Sequence, residues 1–320
     1  MKTTVIQSYR TKNVPNWIQV CLQCSHEWAT QCGYAYRFIG DEILDIVPDW
    51  YIKNTGYRWP VITDLGRLIL IRDEFINGAD RVIWLDADVL IFNAKNLTFE
   101  NNVNYAFGRE YWVQFDKDGS ALKLYRNVHN AICLFKTPNS FLEFYIDACK
   151  KIISGASGTV PNQVVGTKFL TALHNIIGFN LIESVAMTSP LVLRDIVAGN
   201  GPALNLLLQV TKLPVGAANL CSSLVGSETA SHKYGTLLRT PLAPDRAWGA
   251  SIVTLYLFPL ANPSAAALIF STLNKVCGIS SISCCHSRQH GLSLFEIFQL
   301  VGILLFPTHL RLFSQYWNEH

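Results

Sequence analysis

Two aspartates one residue apart, Asp86 and Asp88, stand between two apolar runs, Val82-Ile83-Trp84-Leu85 before them and Val89-Leu90-Ile91-Phe92 after. That placement constrains the chain more than any other feature in it. A short apolar run that follows a polar turn reads as a buried central strand, not as a helix. The carboxylates fall at its carboxyl end, where the alternation that would point them apart stops and where open α/β sheets bind ligands. Aspartate also ends strands and opens turns with no further role. Two carboxylates pinned between buried runs nevertheless repel each other unless a cation pairs with them, and the hard divalent cations Mg²⁺ and Mn²⁺ take oxygen ligands.

The surrounding pattern supplies the sheet. Thr3 to Ser8 reads as a strand, Trp17 to Thr30 as a helix carrying Trp17, Val20, Cys21, Cys24 and Trp28 at helical spacing, and Tyr36 to Ile39 as a second strand. Such a β-α-β unit opens a parallel, helix-covered sheet. A helix is expected over Asp64 to Asn77 with Gly78 as its C-terminal stop, then the strand Arg81 to Leu85, strands at Tyr105 to Gly108 and Ala131 to Phe135, and a helix from Ser140 to Ile153 capped by Asn139 or Ser140. Ser154 to Gly166 is rich in Gly, Ser and Pro and reads as a loop before a helix over Thr167 to Ile177. The fold class is therefore α/β, a mixed sheet flanked by helices.

The chain has 320 residues, enough for one large α/β core with a smaller appendage. The division expected is a catalytic domain over 1–226 and an apolar, mainly helical region over 227–320. Ala247 to Asn274 carries no charged side chain but is interrupted by Gly249, Pro259 and Pro263, and Leu292 to Phe306 is broken only by Glu296 and Gln299. Such a tail suits peripheral contact with a membrane. The formal charge of +3 is scattered rather than blocked, which argues against nucleic acid as the partner. Nine cysteines, an odd count, and an opening decapeptide without a continuous apolar stretch point to the cytoplasm, at most at the inner face of the membrane. Cys21 and Cys24, three residues apart, read as core packing.

Arg67-Leu68-Ile69-Leu70 through Arg81-Val82-Ile83-Trp84-Leu85-Asp86-Ala87-Asp88-Val89-Leu90 resembles the GT-A glycosyltransferases that carry a D-x-D motif, especially the glycogenin-like and bacterial lipopolysaccharide-type members. The resemblance extends over about Met1 to Phe135. It implies a hexosyltransferase of the polysaccharide-building kind, moving a sugar from a nucleotide-sugar donor, a UDP-sugar first among them, to a hydroxyl on a glycan, lipid-linked or protein acceptor. Asp86 and Asp88 would share Mn²⁺ or Mg²⁺ with the donor diphosphate, and Arg67 would help hold that donor. Asp64 would orient Arg67 or reach the donor sugar. Asn162 and Gln163 stand where relatives place an acidic or amide pair beside that sugar, and Arg109 with Glu110 would contact donor or acceptor. A third metal ligand is expected from His232 in His232-Lys233-Tyr234-Gly235, although the Lys-Pro-Trp that commonly follows is missing; Asn219 and Ser222 are its rivals from the toxin-like branch of the same fold.

Two other readings compete. A haloacid-dehalogenase-like phosphatase also sets a D-x-D after an apolar strand, with the first Asp as nucleophile, but Leu90 replaces its usual Thr or Val and no later acidic pair is present. A degenerate, non-catalytic transferase or membrane-associated scaffold would account for the apolar tail. Trp17, Trp28 and Trp112 read as core aromatics, Trp59 less clearly so, and His129-Asn130 as lining the crevice or as a satisfied pair near a strand end.

Overall fold

The computed structural model describes residues 1–222 apart from 101, 199, 212 and 213. His232, the 226/227 boundary and the apolar stretches after 247 lie outside the described residues. Among those described, no helix is long and apolar enough to cross a membrane.

The opening unit is β1 (Thr3–Ser8), α1 (Asn16–Gln31) and β2 (Ala35–Ile39), with the two strands parallel. A 3-10 turn at Asp41–Leu44 and helix α2 (Asp49–Asn54) lead to α3 (Trp59–Ile76), then β3 (Arg81–Leu85), β4 (Val89–Ile91), β5 (Tyr105–Phe115) and β6 (Leu122–Lys136). Helices α4 (Ser140–Ser154) and α5 (Thr167–Ile177) follow, then β7 (Asn180–Ile182), β8 (Val185–Met187), α6 (Pro190–Val197), α7 (Pro202–Val210) and β9 (Ala217–Asn219). The main sheet runs β2-β1-β3-β6-β5-β7, and a small sheet runs β4-β9-β8. Parallel pairing of β1 with β2 and β3 gives way to antiparallel pairing of β6 with β3 and β5, so the sheet is mixed, as expected.

Helix α3 begins at Trp59, five residues ahead of the expected start at Asp64, because Pro60 in the first turn has no N–H to lose there and a φ already helical. Gly78, at φ +83°, ends it in the left-handed region that glycine enters without penalty. The cap at Asn139 is also as read, its side chain accepting from the Leu142 N–H at 3.0 Å.

Strand β3 is buried along its whole length and divides two cores. Val82 and Trp84 join Leu65, Leu68 and Ile69 of α3 on one face; Ile83 and Leu85 join Trp28 and Ala29 of α1 and Val89 of β4 on the other. Each such burial is worth about 1.5–3 kcal/mol. A surface ion pair contributes about 0–1 kcal/mol, so apolar contact fixes α3 against β3, and with it the place of Arg67.

Strands β5 and β6 form a hairpin that is longer than the strands expected at 105–108 and 131–135. Beyond Gly108 and before Ala131 their residues alternate. Tyr111, Val113, Leu122 and Leu124 pack on α6 and α7, while Trp112 turns to Ala131, Met187 and Cys221. Polar Arg109, Glu110, Gln114 and Arg126 interrupt the apolar signal, which is why a reading by hydrophobicity stops short. The pairing register jumps between Phe107, opposite Cys133, and Gly108, opposite His129. A Cβ at Gly108 would stand 2.1 Å from His129 Nε2, so only glycine fits under that ring.

Candidate functional site

The two aspartates leave β3 in a tight turn, with the Val89 N–H donating to the Asp86 carbonyl at 3.1 Å. A main-chain bond from the Asp86 N–H to the Ala131 carbonyl at 2.7 Å and a side-chain bond from Gln7 Nε2 to the Asp86 carbonyl at 3.1 Å tie this turn to β6 and β1. The side chains then meet two different surroundings.

Asp86 is held by charge. Its Oδ1 lies 3.1 Å from Arg67 Nη1 and accepts from Trp84 Nε1 at 2.7 Å. Arg67 is almost fully buried and also meets Asp64 Oδ1 at 3.1 Å from Nη2, donates to the Asn130 carbonyl and lies over the Trp84 ring at 5.1 Å. Asn130 Nδ2 donates to Asp64 Oδ1 at 2.8 Å. Arg67 thus serves both acids, and their charges raise its affinity for its proton. Burial pushes the Asp64 carboxyl up to about 6 against the opposing pull of Arg67 and Asn130. Gly166 admits this arrangement from the loop side: a Cβ there would stand 2.8 Å from Asp64 Oδ2.

Asp88 is held by neutral donors. Asn219 Nδ2 donates to Oδ1 at 2.7 Å and the Ser222 N–H to Oδ2 at 2.7 Å. Asn219 is oriented in turn by the Cys221 N–H, which donates to its Oδ1 at 2.8 Å. Cys221 takes φ +54°, a left-handed conformation uncommon for a side-chain-bearing residue, and this turns the chain back toward Asp88. Burial raises the Asp88 carboxyl, the charge on Asp86 raises it further, and the Ser222 donors oppose both. The rival candidates Asn219 and Ser222 therefore both reach Asp88.

The remaining candidates are placed differently. Asn162 is exposed and accepts from Arg58 Nη1 at 3.1 Å at the start of α3; Gln163 is exposed beside it. No bond joins either to the aspartate pair among the described residues, although their loop reaches Asp64 through Gly166. Arg109 is not brought to the pair: its guanidinium lies 3.5 Å from Glu183 Oε1, and Nη1 donates to the Asn127 carbonyl. Glu110 is the neighbour on the aspartates' side of the strand. It is buried, accepts from Asn127 Nδ2 at 2.6 Å, and with Asp88 and Asp86 adds to the burial that pushes the Cys221 thiol up. Burial raises the Glu110 carboxyl as well. Tyr9, whose hydroxyl feels the charge of Asp88, closes the side nearest β1. Trp17 and Trp28 are core residues, as read, and Trp59 is exposed.

Asp86 and Asp88 together are the residues that could hold a divalent cation. Among the described residues no third His, Cys, Asp or Glu completes a protein-only metal cluster. Mg²⁺ and Mn²⁺ do not need one, since one or two carboxylates with phosphate and water suffice. Among the described residues, buried Asp64 and Asp88 and half-buried Asp86 share one guanidinium, Arg67, and a divalent cation between the last two acids would balance that excess. Asp86 Oδ1 is taken by Arg67 and Trp84, which leaves Oδ2 for the cation.

No family model matches the chain, and no curated protein matches it. Solved structures superpose on parts of it at low similarity. A glycosyltransferase involved in glycosylation of the major capsid of PBCV-1 shares 13% identity over 58% of this chain and 86% of its own, with a TM-score of 0.36. Mouse xyloside xylosyltransferase 1 in its apo form shares 11% over 68% and 96%, TM-score 0.34. The apo glycosyltransferase GlyE of Streptococcus pneumoniae TIGR4 shares 12% over 68% and 54%, TM-score 0.33. Superpositions at that level establish neither activity nor substrate, and the chemistry has to follow from the side chains.

Proposed function

We propose that the chain is a glycosyltransferase that moves a sugar from a nucleotide-sugar donor to a hydroxyl acceptor, with Asp86 and Asp88 holding Mn²⁺ or Mg²⁺ at the donor diphosphate. The observation that carries this reading is the asymmetric pair itself, two acids at the carboxyl end of β3, one paired with Arg67 and the other held, among the described residues, by hydrogen bonds from Asn219 and Ser222. A cation bound there supplies charge compensation for the departing diphosphate. The chain's own residues do the rest. Trp84 and Gln7 hold the Asp86 turn in place, Asn219 and Ser222 aim Asp88, and Arg67, fixed by Asp64 and Asn130, keeps a positive charge beside the site before any donor arrives. Groups fixed in advance need no reorganisation as negative charge develops, which is where electrostatic catalysis draws its rate.

Phosphatase chemistry on the same triplet would need Asp86 as an attacking carboxylate. The Arg67 ion pair and the Trp84 hydrogen bond withdraw electron density from Oδ1 and weaken it as a nucleophile.

The test is hydrolysis or transfer across a panel of nucleotide sugars, with Mn²⁺, with Mg²⁺ and with EDTA. Metal-dependent turnover of one donor supports the reading and names the sugar. A folded, metal-loaded protein that turns over none favours the scaffold, and one that releases phosphate from a simple phosphomonoester favours the phosphatase.

A further inference from the structure

Among the described residues, the two faces of the β5–β6 hairpin beyond Gly108 differ in what they meet. Tyr111, Val113, Leu122 and Leu124 point to α6 and α7. The alternate set points the other way and is of a different chemical kind: Glu110 opposite Asn127, Trp112 opposite Tyr125, and Gln114 opposite Lys123. Glu110 and Asn127 are hydrogen-bonded across the strands at 2.6 Å, and Trp112 Nε1 donates to Gln114 Oε1 at 3.0 Å, so the row is ordered along its length. Exposure rises outward, from buried Glu110 through half-buried Trp112 and Gln114 to exposed Tyr125 and Lys123.

The inner end joins the site already described. Trp112 packs on Ala131, Met187 and Cys221, and Cys221 lies between Asn219 and Ser222, the two residues that hold Asp88. From Glu110 to Gln114 the strand advances about 13 Å. The row is therefore a strip leading away from the aspartate pair, not a separate patch.

We propose that this face of the hairpin is a track for an extended neutral oligosaccharide, the acceptor, running outward from Glu110 past Trp112 and Tyr125. The proposal rests on the glycosyltransferase reading for the acceptor's role, but not for the binding itself. Trp112 and Tyr125, opposite each other in the register, bring two aromatic side chains to this face for the C–H surfaces of pyranose rings, while the nearby carboxylate and amides supply acceptors and donors to hydroxyls. A polypeptide adding as a strand would pair along an outer edge of β5 or β6, in the plane of the sheet, and would not lie across this face. Aliphatic side chains, which a protein partner or a lipid would want, are on the opposite face.

Calorimetric titration of the full chain, without donor, with di- and pentasaccharides of glucose, galactose, mannose and xylose tests this directly. For one sugar the pentasaccharide binds roughly 10-fold or more tightly than the disaccharide, and Tyr125→Ala or Gln114→Ala brings it down to the disaccharide's level. Tyr125 is exposed, so its variant folds, and an unchanged melting temperature confirms it. Donor hydrolysis by the parent chain, measured alongside, separates the two proposals: length-dependent binding by a chain that hydrolyses no donor keeps the track and removes the transferase. Binding that ignores length, binding untouched by both variants, or no binding by any oligosaccharide overturns the track.

Discussion

The two acids of the triplet sit one residue apart and are stabilised in opposite ways. Asp86 shares a buried guanidinium with Asp64, so its charge is answered within the protein. Asp88 meets, among the described residues, neutral dipoles, the Asn219 amide and the Ser222 N–H, and burial with repulsion from Asp86 raises its affinity for a proton. The first arrangement is complete as it stands and builds structure. The second spends stability to keep a carboxylate aimed and under-compensated, which is the condition a metal site needs before its metal arrives.

The largest effect expected is on the Asp86 side. Arg67→Met keeps the shape of the side chain but leaves Asp64 and Asp86 without their cation, and breaking a buried pair in this way costs about 3–5 kcal/mol. Urea unfolding measures it; a loss below about 1 kcal/mol would show that water already screens the pair, removing the contrast with Asp88. On the Asp88 side, Asn219→Ala strips one hydrogen bond from a buried carboxylate and costs about 1–3 kcal/mol. Added Mn²⁺ should recover part of that loss in the melting temperature, whereas it should not recover Arg67→Met.

Acidification sharpens the comparison further. Asp64, at about 6, is raised above its unfolded value, so its contribution is complete below the ordinary carboxylate range and is lost as pH rises through about 6. His129 runs in the opposite direction. Burial, then the Arg67 charge, hold it down to about 3, so stability is present above about 6.5, the unfolded value, and is lost as pH falls toward 3. Between pH 6 and 4, Asp64→Asn therefore loses about 1.4 kcal/mol relative to the parent for each unit of acidification, and His129→Leu gains about as much. Denaturant midpoints across that range check both signs. His129→Leu also removes two buried ring nitrogens that have no hydrogen-bond partner among the described residues, so a small gain at pH 7 is expected as well.

Much of this was legible in the residues. The apolar run Arg81 to Leu85 marked β3 to the residue, and Asp86 and Asp88 follow at its carboxyl end. Asp64 and Arg67 fall one turn apart on α3, a spacing that sequence shows directly. The rest depended on long-range closure. Asn219 and Ser222 lie 131 and 134 positions from Asp88 in the chain, and only the left-handed turn at Cys221 and the pairing of β9 with β4 bring them back. Glu110 was named together with Arg109, but which of the two lies on the aspartates' side depends on the strand's phase, and that phase is set by the bulge at Gly108. The long hairpin escaped because its face on that side is polar and its other face needs α6 and α7, two short helices that the sequence pattern did not announce.

The measurement that bears most directly on the central claim is Mn²⁺ dependence of donor hydrolysis in the parent and in Asp88→Asn, with the melting temperature of each recorded in parallel. A folded variant about 1–3 kcal/mol less stable than the parent is expected, because the new amide nitrogen faces one of the two donors on Asp88, with turnover reduced on the order of 10²- to 10³-fold and no longer responsive to Mn²⁺. A stable Asp88→Asn that turns over the donor at the parent's rate, with the parent's response to metal, would contradict a metal role for Asp88.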